Sequence, residues 1–198
     1  MREDADLEIV TLSRSVVFEN TVFSVFADHI VGRNGHQVER YLSVVPKCLV
    51  DGAIAGVVVL PVNGSKIGLI RVFRHPLDRW SWEAVKGHVE QDEDVRAAAV
   101  RELLEESGYL TASEDLIDLG IVAPEAGVIK GRTRLFVAVV TGMSRRAAAG
   151  ELGHGKMVFY SKEEIDNFIA QGEIEDASTL VTIFKYRFSQ SGVEGWSG

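Results

Sequence analysis

Cysteine is nearly absent from this chain of 198 residues: Cys48 stands alone, so no disulfide can form within it and a disulfide scaffold is excluded. Its five histidines are scattered without the paired spacing of a zinc site. Proline occurs only four times, and no Pro-rich, Gly-rich or repeated segment divides the chain into parts. No apolar run approaches the ~20 residues needed to cross a bilayer. The opening MREDADLEIV carries acids in place of the basic, apolar pattern of an export signal. A soluble, unexported, cytoplasmic protein with no membrane partner is therefore expected. Basic charge is also short, with 21 Lys and Arg against 29 Asp and Glu and a net charge of -8. Nucleic acid is disfavoured as a partner, because neutralising its phosphates takes clustered Lys and Arg. A phosphate-bearing small molecule would instead need a divalent cation between its oxygens and the protein's carboxylates.

The composition that remains is ordinary for a globular protein, with 46% hydrophobic and 25% charged residues, enough to bury one core. The first half has the β-rich pattern of strands. Segments 14–19, 22–31 and 37–45 alternate, with Asn34-Gly35 as a hairpin turn, and 53–61 and 66–74 form a second hairpin about Asn63-Gly64. The period then changes. Over 92–107 it places Val95, Ala99 and Leu103 on one helical stripe, and Gly108 stands where a helix ends. Strands are expected at 115–123, 132–141 and 156–160, and helices at 161–172, which opens on Ser161, and at 177–188. Hairpins flanked by a few helices point to an α/β fold, an α/β/α sandwich on a mixed sheet with an N-terminal β-rich arm. No G-x-G-x-x-G follows a strand, which disfavours a Rossmann fold. Cys48, beside Leu49 and Val50, is expected to be a core thiol.

The chemistry concentrates in 87–109, GHVEQDEDVRAAAVRELLEESGY. Glu102, Glu105 and Glu106 stand at i, i+3 and i+4 of the expected helix and so share one face. Alone they repel, whereas a hard divalent cation accepts oxygen ligands from all three. Glu93 lies about two helical turns before Arg101, and an ion pair between them would brace the acidic face. Three isolated glutamates are ordinarily a solvated helix face. The spacing decides otherwise, because the stretch resembles the Nudix box, G-x5-E-x7-R-E-U-x-E-E-x-G-U, with U a bulky aliphatic. Gly87, Glu93, Arg101, Glu102, Glu105, Glu106 and Gly108 match every fixed position, and Leu103 matches the first U. Chance alone would produce this on the order of once in a million chains of this length. Tyr109 departs from the aliphatic last position, a packing site without chemistry.

What the resemblance implies is hydrolysis of a nucleoside diphosphate linked to another group, with Mg²⁺ or Mn²⁺ held by Glu102, Glu105 and Glu106. A main-chain carbonyl at Lys86 or Gly87 would add a ligand. Outside the box the chain looks like the ADP-ribose pyrophosphatase branch, which implies ADP-ribose as substrate, with GDP-mannose and other nucleotide sugars as alternatives. The features are the strand-rich arm (1–50, ahead of a hydrolase domain at 51–198), LIRVFRHPLDRWSWEAVKG, Pro124, and EEIDNFIAQGEIEDASTL. That branch often has E-x-P-x-G ahead of the box, where this chain has Val85 in place of proline.

By the same resemblance Arg74, Arg71 and Glu83 become candidates for the substrate's phosphates and ribose. Phe23 or Phe18, from the arm of a partner subunit, would stack the base in a homodimer with exchanged arms. Trp80 and Trp82 are more simply core or interface rings. The general base would be Glu151, the acid of a Gly-rich loop, or Glu105, with His154 as a lesser substitute. A nucleotide sensor is disfavoured by the intact box, and isopentenyl-diphosphate isomerase by the position of Cys48. Enzymes that clean oxidised nucleotides are usually shorter and lack the arm.

Overall fold

The computed structural model of the chain describes residues 8–144 and 152–191. Three antiparallel strands, β1 (Ile9–Glu19), β2 (Phe23–Gly32) and β3 (Gln37–Pro46), form a separate sheet in that order. At the Asn34-Gly35 turn, Gly35 has φ 79° and Asn34 Oδ1 accepts from the His36 N–H at 3.0 Å, the left-handed geometry that selects glycine. Asp28 is buried in this sheet. It accepts from both arms of the Arg14 guanidinium at 2.7 and 2.8 Å and from Ser43 Oγ at 2.7 Å. The sheet is fastened to the rest of the molecule where Val44 N–H donates to Val128 O and Lys130 N–H to Val44 O, both at 2.8 Å, and where Tyr41 donates its hydroxyl to Gly127 O. By contrast β1 is exposed along its whole length.

The second sheet has seven strands: β4 (Ile54–Asn63), β5 (Lys66–Arg74), β6 (Arg79–Glu83), β7 (Val85–His88), β9 (Leu116–Val122), β10 (Arg132–Val139) and β12 (His154–Tyr160). Its main order is β12-β5-β4-β10-β9, and it is mixed because β10 runs parallel to β4 while its other pairs are antiparallel. A small pair, β8 (Tyr109–Leu110) and β11 (Gly142–Met143), stands beside it. β4 and β5 pair only at Val62–Ile67 and Asn63–Lys66. Beyond that hairpin end, β6 takes the edge of β5 and β7 the edge of β4. The sheet therefore opens around residues 83–87.

Alternation along the strands sorts two cores. On one face Val57, Val59, Ile70, Val72 and Val85 meet Val95, Ala98, Ala99 and Leu103 of α1 (Val95–Ser107). On the other, Val58, Leu60, Leu69 and Leu135 meet Ile165 of α2 (Lys162–Ala170) and Ile183 of α3 (Ala177–Gln190). Each Val, Leu or Ile among them contributes roughly 1.5–3 kcal/mol on full burial. The α/β/α sandwich with a mixed sheet and a β-rich N-terminal arm is thus the observed architecture.

Local signals set the helix ends. Asp94 caps α1, accepting from Arg96 N at 2.9 Å and Ala97 N at 3.0 Å, and Gly108 at φ 73° closes it. The helix therefore starts three residues later than the period from 92 suggests, since Asp92 itself sits at φ 62°. Ser161 and Glu164 form a capping box on α2. Two strands, β6 and β7, were not marked out by hydrophobic period because they are five and four residues long. Among the described residues no helix is long and apolar enough to cross a membrane.

Candidate active site

Strand β7 and helix α1 bring the acidic residues of 87–108 together. Arg101, from the middle of α1, donates to Glu93 Oε1 at 2.8 Å and Oε2 at 2.9 Å, to the His88 carbonyl at 2.9 Å, to Glu102 at 2.8 Å and to Glu105 at 3.0 Å. One guanidinium thus spends its planar fork on the loop that enters the helix and on two glutamates of the helix itself. Glu93 also accepts from the Glu90 N–H at 2.9 Å. The hydrogen bonds from Arg101 hold the Glu93 carboxyl below its usual range despite its burial. The carboxylates in turn raise the Arg101 guanidinium above its already high value, Glu93 most of all.

Glycine at 87 lets the Glu102 carboxylate lie against the backbone. A Cβ placed there would lie 1.8 Å from the Glu102 carboxyl carbon, so the carboxylate occupies the space a side chain would fill. Gly56, which pairs with His88 across β4 and β7, faces backbone instead: a Cβ on it would lie 2.7 Å from the Gly87 carbonyl oxygen. Glu106 has its side chain 6% exposed, with Lys86 N–H 3.4 Å from Oε2 and His154 Nδ1 3.7 Å from Oε1. Glu102 is 12% exposed and Glu105 54%.

Two shielded carboxylates and one open one on a single helix face, beside main-chain carbonyls, are a donor set suited to a hard divalent cation. Among the described residues no three acidic, His or Cys side chains already stand as a ligand cluster. A cation at Glu102 and Glu105 therefore competes with Arg101 for their oxygens.

Beside these acids lies a second charged group, where the sheet opens. Glu83, 2% exposed, accepts from Arg74 Nε at 2.9 Å and Nη2 at 2.6 Å and also pairs with the Lys86 ammonium. Lys86 Nζ reaches Asp176 Oδ2 at 2.8 Å. Glu83 is the chief reason the Arg74 guanidinium is raised. Burial raises the Asp176 carboxyl, yet Lys86 and the Thr179 donors outweigh it and leave it below its usual range.

A cavity of roughly 280 Å³ runs from this group towards the arm, with Arg74, Lys86, Gly87, His88, Arg132 and Phe23 in its wall. Phe23 meets the His88 ring edge-on at 5.7 Å. Within the single chain Phe23 thus lines this cavity, at the end of β2 that pairs with Pro46. Phe18 is 57% exposed on β1.

The structure puts Arg71 elsewhere. It pairs with Glu173 at 3.1 Å and lies 5.3 Å over the Trp82 ring, and Trp82 stacks on Phe168 and packs edge-on against Tyr160. Trp82 is a packing ring, as its type suggests. Cys48 is half-buried in the wall of a neighbouring hollow, less enclosed than a core thiol. Glu151 lies outside the described residues. Sequence reading missed Gly56, His88, Arg132 and Asp176. Gly56 alone had a signal, a glycine inside a strand marking a close backbone approach.

A family model described as NUDIX domain matches residues 52–179. A protein of Bacillus methanolicus named methanol dehydrogenase activator is 28% identical over 176 residues, which is 87% of this chain and 89% of that one. The ADP-ribose pyrophosphatase of Bacillus subtilis (strain 168) is 31% identical over 103 residues, about half the length of each. A crystal structure of an ADP compounds hydrolase superposes with a TM-score of 0.76 at 19% identity over 94% of this chain and 96% of that one, a likeness of fold. Box geometry, sandwich and family model agree, and this chain belongs to the Nudix family of hydrolases.

Proposed function

We propose that the chain hydrolyses, with a divalent metal, the pyrophosphate of a nucleoside-diphosphate-linked metabolite, and that ADP-ribose, split to AMP and ribose 5-phosphate, is its substrate. The observation that carries this reading is one continuous cavity wall. It leads from Gly87, packed on Glu102, past Arg74 and Lys86 to the Phe23 and His88 rings. Phosphate, charge and base would each find a partner along it. Glu102, Glu105 and Glu106, with the carbonyl of Lys86 or Gly87, would hold Mg²⁺ or Mn²⁺. When bound, such an ion neutralises charge on the pyrophosphate and eases attack at phosphorus.

The rest falls to the chain. Arg74 and Lys86 offer positive charge to the phosphates, with Glu83 orienting both. Arg71 would act only from the margin of the site, through its pairing with Glu173. Arg101 and Glu93 hold the acidic face in place. Glu151 or Glu105 takes the proton of the attacking water as its oxygen bonds to phosphorus and the bridging P–O bond breaks. Phe23 receives the base.

The name of the B. subtilis relative supports ADP-ribose, while Val85 in the place of a proline favours keeping GDP-mannose and other nucleotide sugars in view. Release of AMP, GMP or UMP from ADP-ribose, GDP-mannose and UDP-glucose, each with Mg²⁺ or Mn²⁺, tests the choice. AMP from ADP-ribose should appear at the highest kcat/KM. Faster GMP release would move the assignment to GDP-mannose, and no release from any would overturn it.

A second reading rests on the longer match, to an activator of methanol dehydrogenase: that this chain too activates a dehydrogenase. Methanol dehydrogenase assayed with and without the chain separates the two.

Residues 1–50 form, in this proposal, an arm that crosses to a second copy, and 51–198 the hydrolase domain. The exposed Val10, Leu12, Val16 and Phe18 of β1 support pairing with another chain. Light scattering at micromolar concentration should report a dimer, and a fully active monomer would refute it.

A further inference from the structure

We propose that Asp176 is a positioning residue for this reaction: from the N-terminus of α3 its carboxylate holds the Lys86 ammonium, and with it the main chain of 84–87 that meets Glu102 and Glu106. The kinetic part rests on the hydrolase reading; the structural part stands without it.

Asp176 divides its two oxygens. Oδ1 caps α3, accepting from Thr179 N at 2.8 Å and Thr179 Oγ1 at 2.7 Å. Oδ2 takes no part in the cap and meets Lys86 Nζ at 2.8 Å. A cap needs only one acceptor, so the second oxygen is available for another task. Thr179 Oγ1 extends the latch, accepting from the Ala84 N–H at 3.1 Å. Ala84 falls between β6 and β7 and belongs to neither, so this buried amide depends on α3 for its partner. The first turn of α3 is thus joined to the β6–β7 corner at both Ala84 and Lys86.

What that corner carries makes its position matter. Lys86 N–H faces Glu106 Oε2 at 3.4 Å, and Gly87 leaves no room for a Cβ beside the Glu102 carboxylate. A small drift of 86–87 would change both approaches at once.

Charge adds a second consequence. Arg74 and Lys86 are balanced by Glu83 and Asp176, two cations by two anions in mutual contact. Without the Asp176 charge, Lys86 has only Glu83, which Arg74 also holds, and the cavity wall gains net positive charge. An anionic substrate would then bind as well or better while the acids beside the corner lose their register.

Asp176→Asn separates this role from capping, because asparagine caps about as well as aspartate. For this variant kcat should fall at least about tenfold with KM unchanged or lower and the melting temperature nearly that of wild type, a split that lost stability would not produce. Hydrogen exchange at the amides of 84–87 should quicken about tenfold. Lys86→Met leaves the α3 cap untouched and should quicken the same amides, and adding Asp176→Asn to it should change them no further. Unchanged exchange at 84–87 in Lys86→Met, or wild-type kcat in Asp176→Asn, would overturn the proposal. A wild-type chain that hydrolyses no nucleotide would instead sink the hydrolase reading and leave the exchange result to decide.

Discussion

Arg101 grips Glu93 with two hydrogen bonds of 2.8 and 2.9 Å while reaching Glu102 at 2.8 Å, so one side chain ties the loop before α1 to the acids upon it. Removing the guanidinium leaves Glu93 and Glu102, both well shielded, without their principal cation. Arg101→Ala is expected to lower kcat by about 10²-fold or more through misplaced acids, and to lower stability by about 1–3 kcal/mol. Steady-state kinetics and urea denaturation check the two effects. Loss of neither would remove Arg101 from the organisation of the site.

The same pair makes stability depend on pH in a defined direction. Hydrogen bonds from Arg101 are the largest influence on Glu93 and hold its carboxyl below its ordinary 4.5. A depressed folded-state value means the contribution is complete above the unfolded value and is lost as pH falls through the folded one. Stability should therefore decline below about pH 4.5, and Glu93→Gln should show a shallower decline over that window. Equal slopes for the two proteins, measured by denaturation between about pH 3 and 6, would speak against the pair's role.

Gly87 and Gly56 should respond differently to alanine. At Gly87 the obstacle is the end of a flexible side chain, Glu102, whereas at Gly56 it is the Gly87 carbonyl oxygen in the backbone. Gly87→Ala is expected to cut kcat by about 10²-fold with little change in melting temperature, since the carboxylate swings away. Gly56→Ala should lower both, because β4 and β7 must shift. A Gly87→Ala enzyme with wild-type turnover would show that the close approach of Glu102 plays no part.

These contrasts also show where sequence reasoning reaches and where it stops. The box was legible because its residues lie in one continuous stretch, from the end of β7 through a loop to one helix, where spacing fixes which carboxylates share a face and which arginine can meet Glu93. The helix ends were legible through Gly108 and the Ser161 capping box. Arg132 was not, since pairing of β10 with β4 brings it to the cavity from far along the chain, nor was Asp176, which the start of α3 carries to Lys86. Sequence favours Arg74 over Arg71, three residues before it on β5, but does not show what separates them. Strand alternation turns them to opposite faces, one to Glu173 and the other to Glu83. The contact of Phe23 with His88 was not legible either, since it joins the arm to β7 across more than sixty residues of chain.

The general base is open to direct comparison. Glu105 is half exposed and shared with Arg101, which suits a cation ligand or a proton acceptor, and Glu151 is the acid of the Gly-rich segment 150–155 in the sequence. Glu151→Gln is expected to lower kcat by about 10²- to 10⁴-fold with metal and substrate affinity nearly unchanged. If Glu151→Gln keeps wild-type kcat while Glu105→Gln loses it, the base is Glu105.

Glu106 sits deepest of the three acids, and its variant offers the most direct trial of metal-dependent hydrolysis on this helix face. AMP release from ADP-ribose should be measured for wild type and Glu106→Gln, with Mg²⁺ and with excess EDTA. Wild type should turn over only with the metal, and Glu106→Gln, folded to the same melting temperature, should be slower by at least about 10³-fold. Turnover within tenfold of wild type in the variant, or wild-type turnover in EDTA, would contradict a metal held by these carboxylates.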